Sequence, residues 1–346
     1  MPIVGNQSSG GKKPSAPSIG TVTDGGTGTT VNVPFTPSSY IGKGTIQYSI
    51  VSNPGNITTI SSSSPVTVSG LTTGTPYTFT VAGITNYGVS SDVSTASNSV
   101  TPAVPLSVSG GTLTSDATYY YRRFTSSGTL TVTGGTLNAT VLLVAGGGGG
   151  GIQWTYSAAH RSGSGGAGGL VYLSSVNLGA GNHFASVGAG GVGAIENGRA
   201  PSNGSGSQLG SLTSAVGGGA PGTSSGSFSG SAGGSGGGGG ITWSINTGTI
   251  LGQGAGGGFT SGQGFAGANA TNSYQPGGGG GAGGAGSPDQ GGPGASYFGA
   301  TYARGGVINA GGGTANTGNG GGNNSYGASG GSGIIIVRYT RSQVGG

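Results

Sequence analysis

Val141-Leu142-Leu143-Val144-Ala145, followed at once by the six glycines Gly146 to Gly151, is where the chain changes character. Gly330-Gly331-Ser332-Gly333-Ile334-Ile335-Ile336-Val337 is where it changes back. Both apolar runs are unbroken, so each expects cover on both faces rather than on one. The economical arrangement makes them neighbours in one sheet. Residues 146–333 then leave that sheet and return to it, and 70 of the 89 glycines fall after residue 145. Glycine brings no side chain to a core and loses more backbone freedom on ordering than any other residue. A tract of this length therefore either stays loose as a linker or packs backbone against backbone as a scaffold.

Three features weigh against a linker. Apolar residues return at intervals (Ile241, Trp243, Ile245, Ile250, Leu251, Phe259, Phe265, Val307, Ile308), and the charge is too low to hold a chain open by repulsion. Leu170 to Leu173, His183 to Val187 and Leu209 to Val216 also read as strands added to the sandwich. Glycine has no strict every-third-residue repeat, which excludes collagen. Extended glycine strands close to polyproline II, three residues per turn, fit the composition, because bare backbones approach closely enough to hydrogen-bond to one another.

The chain before this tract is different. Residues 1–15 are polar and read as a flexible arm. Between 16 and 103, short runs alternate with period two (Val31, Val33, Phe35; Ile46, Tyr48, Ile50; Tyr77, Phe79, Val81), the pattern of an all-β sandwich. From residue 104 onward, Tyr119 to Phe124, Thr129 to Val132 and Leu137 to Val144 read as three further strands opening a second domain that runs to 346.

Composition removes most chemistry. Only 15 of 346 residues are charged, and the acids are Asp24, Asp92, Asp116, Glu196 and Asp289. The net charge of +5 is dispersed, with Lys12-Lys13 and Arg122-Arg123 the adjacent pairs, unlike the clustered basic face of a nucleic-acid binder. No nucleic-acid partner is expected. With no cysteine there is neither disulfide nor thiolate metal site, and two histidines with scattered acids form no metal constellation. The opening residues lack a secretory pattern, and no run nears the roughly 18 apolar residues of a membrane helix. These features fit a protein made in a cytoplasm and released by assembly or lysis.

Several catalytic patterns are present only by chance. Gly262-Gln263-Gly264-Phe265-Ala266-Gly267 fits G-x-G-x-x-G but lacks a strand-turn-helix setting. Ser162-Gly163-Ser164-Gly165 is a degenerate nucleophile elbow, and His160 or His183 would have to act as its base. Glu196 and Asp289 are the two acids available to a glycoside hydrolase in the glycine-rich half. No cofactor and no enzymatic activity are expected.

The residues that stand out are aromatics stranded among glycines. Trp154, Tyr156, Trp243, Tyr274, Tyr297, Tyr302 and Tyr326 sit beside turn-forming residues, with His160, Arg161 and Arg304 close in sequence. Such rings stack on the apolar face of a sugar while neighbouring amides bond its hydroxyls, so these ten are the candidate receptor-binding residues. For Trp243 and Phe259, filling gaps in the core competes evenly with that role.

Two family resemblances frame this reading. Val68-Ser69-Gly70-Leu71-Thr72-Thr73-Gly74-Thr75-Pro76-Tyr77-Thr78-Phe79-Thr80-Val81, continuing to Gly88, resembles the second half of a fibronectin type III domain, with Leu71 and Tyr77 matching its tyrosine corner. Phe35 stands where that family usually has tryptophan. Phe124 to Val132, Val141 to Gly146, and Gly330 to Tyr339 resemble the glycine-rich domain of tailed-phage fibre and adhesin proteins, including those of cyanophages. The resemblances imply an all-β chain: a fibronectin type III-like sandwich, then a jelly-roll-like β-sandwich carrying a polyglycine II-like insertion at about 146–333. They imply a tail fibre or adhesin on the virion surface, assembled in the host cytoplasm. The arm and first domain would dock on other virion proteins, and the glycine-rich loops would meet a host glycan or outer-membrane protein. The alternative is a capsid or tail decoration protein whose domains simply project. A trimer suits a fibre, although no heptad specifies one.

Overall fold

The computed structural model describes residues 12–152, 160–195, 199–224, 227–244, 246–271 and 275–345. The chain is essentially all-β, and it divides into two compact units, one up to Leu106 with Thr133–Gly135, the other Ser107–Val132 with Thr136–Gly346. Of the arm expected at 1–15, residues 1–11 lie outside the described residues.

In the first unit the alternating runs form two three-stranded sheets. Thr23–Asp24, Val31–Val33 and Val66–Val68 make one; Thr58–Ser61, Ile46–Asn53 and Thr78–Thr85 make the other. The inward residues Val31, Val33, Tyr48, Ile50, Phe79 and Val81 share one buried cluster with Phe35, Leu71 and Tyr77. Phe35 packs on Tyr48 with ring centroids 4.6 Å apart, filling with two smaller rings the space of one large one. The corner implied by Leu71 and Tyr77 is closed by the Thr72 amide, which donates to the Tyr77 hydroxyl at 3.1 Å.

The outer edge of Thr78–Thr85 is completed by a segment that is not a regular strand. Ser91, Ser94 and Ser97 donate their amides to the carbonyls of Gly83, Val81 and Phe79 at 2.8, 2.8 and 2.9 Å. Three residues of this segment therefore cover the length of two in the strand. The spacing leaves the strand's amides without backbone acceptors, and the serine hydroxyls take them: Ser91, Ser94 and Ser97 Oγ accept from the amides of Gly83, Val81 and Phe79 at 2.8, 3.0 and 3.0 Å. Each hydroxyl then donates to the carbonyl one residue on.

In the second unit a five-stranded sheet runs Thr112–Ser115, Tyr119–Phe124, Ile334–Thr340, Leu137–Val144, Leu170–Leu178. The two apolar runs are neighbours as expected: Val141 faces Val337, Leu142 Ile336, Leu143 Ile335 and Val144 Ile334. A four-stranded sheet of Ser107–Ser109, Gly128–Thr133, Gly181–Ser186 and Gln208–Leu209 supplies the fully buried Leu130, Val132, Ala185 and Leu209. Leu142, Val144, Leu170, Ile334 and Ile336 point to the other side. There Tyr302 and Ala303 cover them, joined by the partly buried Tyr297 and Phe298 of the Ala295–Tyr297/Ala300–Tyr302 hairpin. Two-sided cover accounts for the unbroken apolarity.

Between these anchors the glycine blocks form a lattice of extended strands. Within Gly146 to Gly151, consecutive amides point to three different neighbours in rotation: 146 and 149 to the carbonyls of Ser205 and Ser202, 147 and 150 to Gly331 and Ala328, 148 and 151 to Gly166 and Gly163, all at 2.7–3.1 Å. The carbonyls of Gly146, Gly147 and Gly148 accept from Gly218, Gly191 and Gly321, which adds three further neighbours. A three-residue period with partners all round is the geometry of polyproline II, in which nothing is bonded within the strand. The same period recurs in Gly163 to Gly169, whose donors reach Gly222, Gly219 and Val216 on one side, and Gly277 and Gly280 on another. A β-carbon added at any of Gly146 to Gly150 would lie closer than 3.0 Å to a neighbour's carbonyl.

Two predictions follow from these contacts. Ser94→Ala orphans the Val81 amide and should lower stability in urea unfolding by about 1–2 kcal/mol, whereas Ser99→Ala should leave it unchanged. Gly148→Ala should destabilise the second unit by about 3 kcal/mol or more, because backbone cannot yield as a side chain does. Gly179→Ala, with nothing within 4 Å, is the neutral control in the same thermal scan.

Candidate functional site

The lattice strands run between the sandwich and a far end where they exchange neighbours through loops. At that far end Gly151 bonds to Gly163, Ile152 bridges Asn324, and His160–Arg161 pairs with Thr242 and Ile241. Ile241–Trp243 pairs in turn with Ile250–Gln253, closing a small three-stranded sheet. The fully buried Asn323 ties the loop bases: its Nδ2 donates to the Ser162 carbonyl at 2.6 Å, and its Oδ1 accepts from the Asn309 amide at 2.9 Å. The sequence gave no reason to single out Asn323, because an asparagine among glycines reads as a turn residue.

His160 has a defined role here. The Thr242 hydroxyl donates to the Ser224 carbonyl at 2.5 Å, so its contact with His160 Nδ1 at 3.2 Å makes that nitrogen the donor. The Arg161 guanidinium lies over the Trp243 ring at 5.5 Å. Trp243 itself is buried with Ile241 and Ala270, so it belongs to the core of this end rather than to its surface. Tyr326 is the opposite case, 74% exposed on a loop whose turn is fixed by its amide bond to Asn324 Oδ1 at 3.1 Å. Trp154, Tyr156 and Tyr274 lie outside the described residues.

The remaining candidates lie toward the sandwich. Tyr302 is buried under the hairpin, which corrects its reading as a surface ring: it covers Val144 and Ile334. Tyr297 is half-buried and stacks on Tyr172 at 4.7 Å. Arg304 is exposed, its amide held by Asn319 Oδ1 at 2.9 Å. The seven described candidates thus divide between two regions and form no single cluster.

The residues of the catalytic patterns that the structure describes lie apart from one another. Ser164 is fully buried in the lattice, Gly262 to Gly264 form a turn into a lattice strand, and Asp289 Oδ2 accepts from Gln275 Nε2 at 2.5 Å. Glu196 lies outside the described residues. Among the described residues no three His, Asp or Glu side chains gather around a metal position.

A second aromatic group borders the five-stranded sheet. Tyr121 packs edge-on against Phe298 at 5.7 Å, and Arg338 lies over both Tyr119 and Phe298 at 4.5 and 4.8 Å. Asp116 anchors its end, accepting from the Tyr121 hydroxyl at 2.7 Å and from the Thr118 and Tyr119 amides at 2.8 and 2.7 Å. The Tyr121 hydroxyl, followed by those two amides, holds the Asp116 carboxyl below the usual carboxylate range. Burial, then the bond to Asp116, pushes the Tyr121 phenol up.

The architecture defines a two-unit all-β protein whose larger unit is a sandwich extended by a backbone-bonded glycine lattice. The family model of the glycine-rich domain matches residues 124–340, more than half of the chain, and the protein belongs to that family. The model of the fibronectin type III domain matches residues 15–100, the first unit. A comparison with curated proteins finds no match.

A lowered carboxyl pKa means that Asp116 supports the fold fully above the ordinary value and loses that support as pH falls through the lowered one. Carboxyl-detected NMR should give Asp116 a midpoint below that of a model peptide, and Tyr121→Phe should raise it. An unchanged midpoint in the variant would remove the hydroxyl as the main cause.

Proposed function

We propose that this is a bacteriophage virion surface protein, a tail fibre or adhesin that attaches to a receptor on the host cell without catalysis. The observation that carries this reading is the division of the glycine-rich unit into a backbone-built body and loops at its far end. Lattice positions admit almost no side chains, so recognition falls to the loops that the lattice releases. Those loops carry His160, Arg161 and Tyr326, on bases fixed by Asn323 and the small sheet. The resemblance of the entry and exit motifs to phage adhesins supports the same reading.

The mechanism is adhesion on a preformed surface. Loop ends held by a rigid lattice lose little further freedom on binding, which favours affinity from a small contact area. Copies repeated on one particle turn weak single contacts into strong attachment. The first unit serves as a spacer docking on other virion proteins, and the receptor is a glycan or an outer-membrane protein.

The full chain, added in excess, should compete with particles that carry it for adsorption to host cells. Tyr326→Ala should weaken that competition by about tenfold or more, as expected for an exposed aromatic anchor. Unchanged adsorption at saturating protein, with copies localised over the capsid by electron microscopy, would replace attachment by decoration.

A further inference from the structure

Near the sandwich end of the lattice, three rings line a common groove. Phe259 and Phe265 form one wall, nearly parallel with centroids 6.1 Å apart, and they are 50% and 42% exposed. Tyr297, stacked on Tyr172, forms the other. Leu170, Ala282 and Ala295 contribute apolar lining, Gly262, Gln263 and Gly264 complete it, and the space enclosed is about 300 Å³.

The groove is held in shape by one residue. Gln263 Oε1 accepts from the Val216 amide at 2.8 Å, its Nε2 donates to the Ser214 carbonyl at 3.0 Å, and its carbonyl accepts from the Leu170 amide at 2.9 Å. With side chain and carbonyl all engaged, Gln263 positions the Thr260–Gln263 turn, and Phe259 and Phe265 flank that turn. Beyond Tyr172 the ring series continues through Phe298 at 6.3 Å and Tyr121. The groove is therefore the open end of an aromatic track along the sheet.

We infer that this groove binds a neutral oligosaccharide, with pyranose rings stacked between the Phe259–Phe265 pair and Tyr297, which Tyr172 backs. Three observations select that occupant. Among the described residues no charged side chain lines the groove, which disfavours anions and cations. Its size is at the lower end of small-ligand sites and far below the area a second copy would have to bury in a stable interface. Its walls join the ring faces of Phe259 and Phe265 to the Tyr297 phenol, and a pyranose presents the matching pair, a C–H face rimmed by hydroxyls. The inference is independent of the attachment reading, since it concerns another surface and a ligand that any source of glycan can supply.

The test uses the full chain with cellohexaose, maltohexaose and mannohexaose, and with hexagalacturonate as the charged control, in saturation-transfer NMR and calorimetry. At least one neutral hexasaccharide should bind with a dissociation constant at or below about 1 mM. Phe265→Ala, at an exposed ring, should weaken binding by about tenfold or more with an unchanged melting temperature. Tyr297→Ala should weaken binding likewise, with some loss of melting temperature because the ring also packs on the sandwich core, and Tyr326→Ala at the far end should leave binding unchanged. Absence of transfer to every neutral hexasaccharide, or binding that survives both groove substitutions, would overturn the inference. So would preference for hexagalacturonate. Failure of Tyr326→Ala to alter adsorption bears on attachment alone and leaves this result untouched.

Discussion

The interaction on which the larger unit depends is the backbone hydrogen bond between strands packed too closely for a β-carbon. A sheet satisfies its amides with two neighbours in a plane; here each successive amide turns to a new neighbour, and the carbonyls engage further ones. The interior is thus held by the polar groups every residue already has. It contributes little apolar burial for its volume, so its stability rests on completeness: a lattice amide that lost its partner would be a buried orphan. Ala145, Ala167, Ser164 and Ser235, all fully buried, mark places where the three-fold winding leaves room for one small group.

A lattice of this kind needs a starting register, and the apolar runs supply it. Pairing Val144 with Ile334 sets the first and last lattice strands side by side, so that Gly147 meets Gly331 three residues later. Ser207 reinforces the junction, accepting from the Gly188 amide and donating to the Val144 carbonyl at 2.9 and 2.8 Å. Leu170–Leu178 and Gly181–Ser186 return the chain to the sandwich partway through the tract. The excursion is therefore interrupted, and no glycine stretch runs far from an anchored one.

Much of this was legible in the sequence because unbroken apolar runs and period-two alternation report burial directly. Val141 to Val144 and Ile334 to Val337 report their cover from their own residues, and the Leu71–Tyr77 corner follows from the resemblance to the fibronectin type III family. What stayed hidden depends on partners distant in sequence. Gly148 and Gly262 look alike, yet one is required by a neighbour's carbonyl and the other by a left-handed backbone with open space around it. Ser91, Ser94 and Ser97 look like linker serines until their hydroxyls are seen to cap a strand. Tyr302 and Tyr326 share a glycine-rich setting, but the first covers Val144 and the second faces solvent. Ring identity is local information, whereas exposure is set by the fold.

The same constraint explains where chemistry resides in this protein. A scaffold that excludes β-carbons from its interior can present side chains only along its flanks and at its ends. A body whose polar groups are satisfied by its own backbone has no need of ion pairs, which accords with its low charge. Among the described residues, rings and side-chain amides are carried where strands turn, at the far end and beside the sandwich. At the far end Asn323 and the small sheet fix the loop bases; beside the sandwich Gln263 and the Ala295–Tyr302 hairpin do. Each surface can change its exposed residues without disturbing a glycine that the lattice requires.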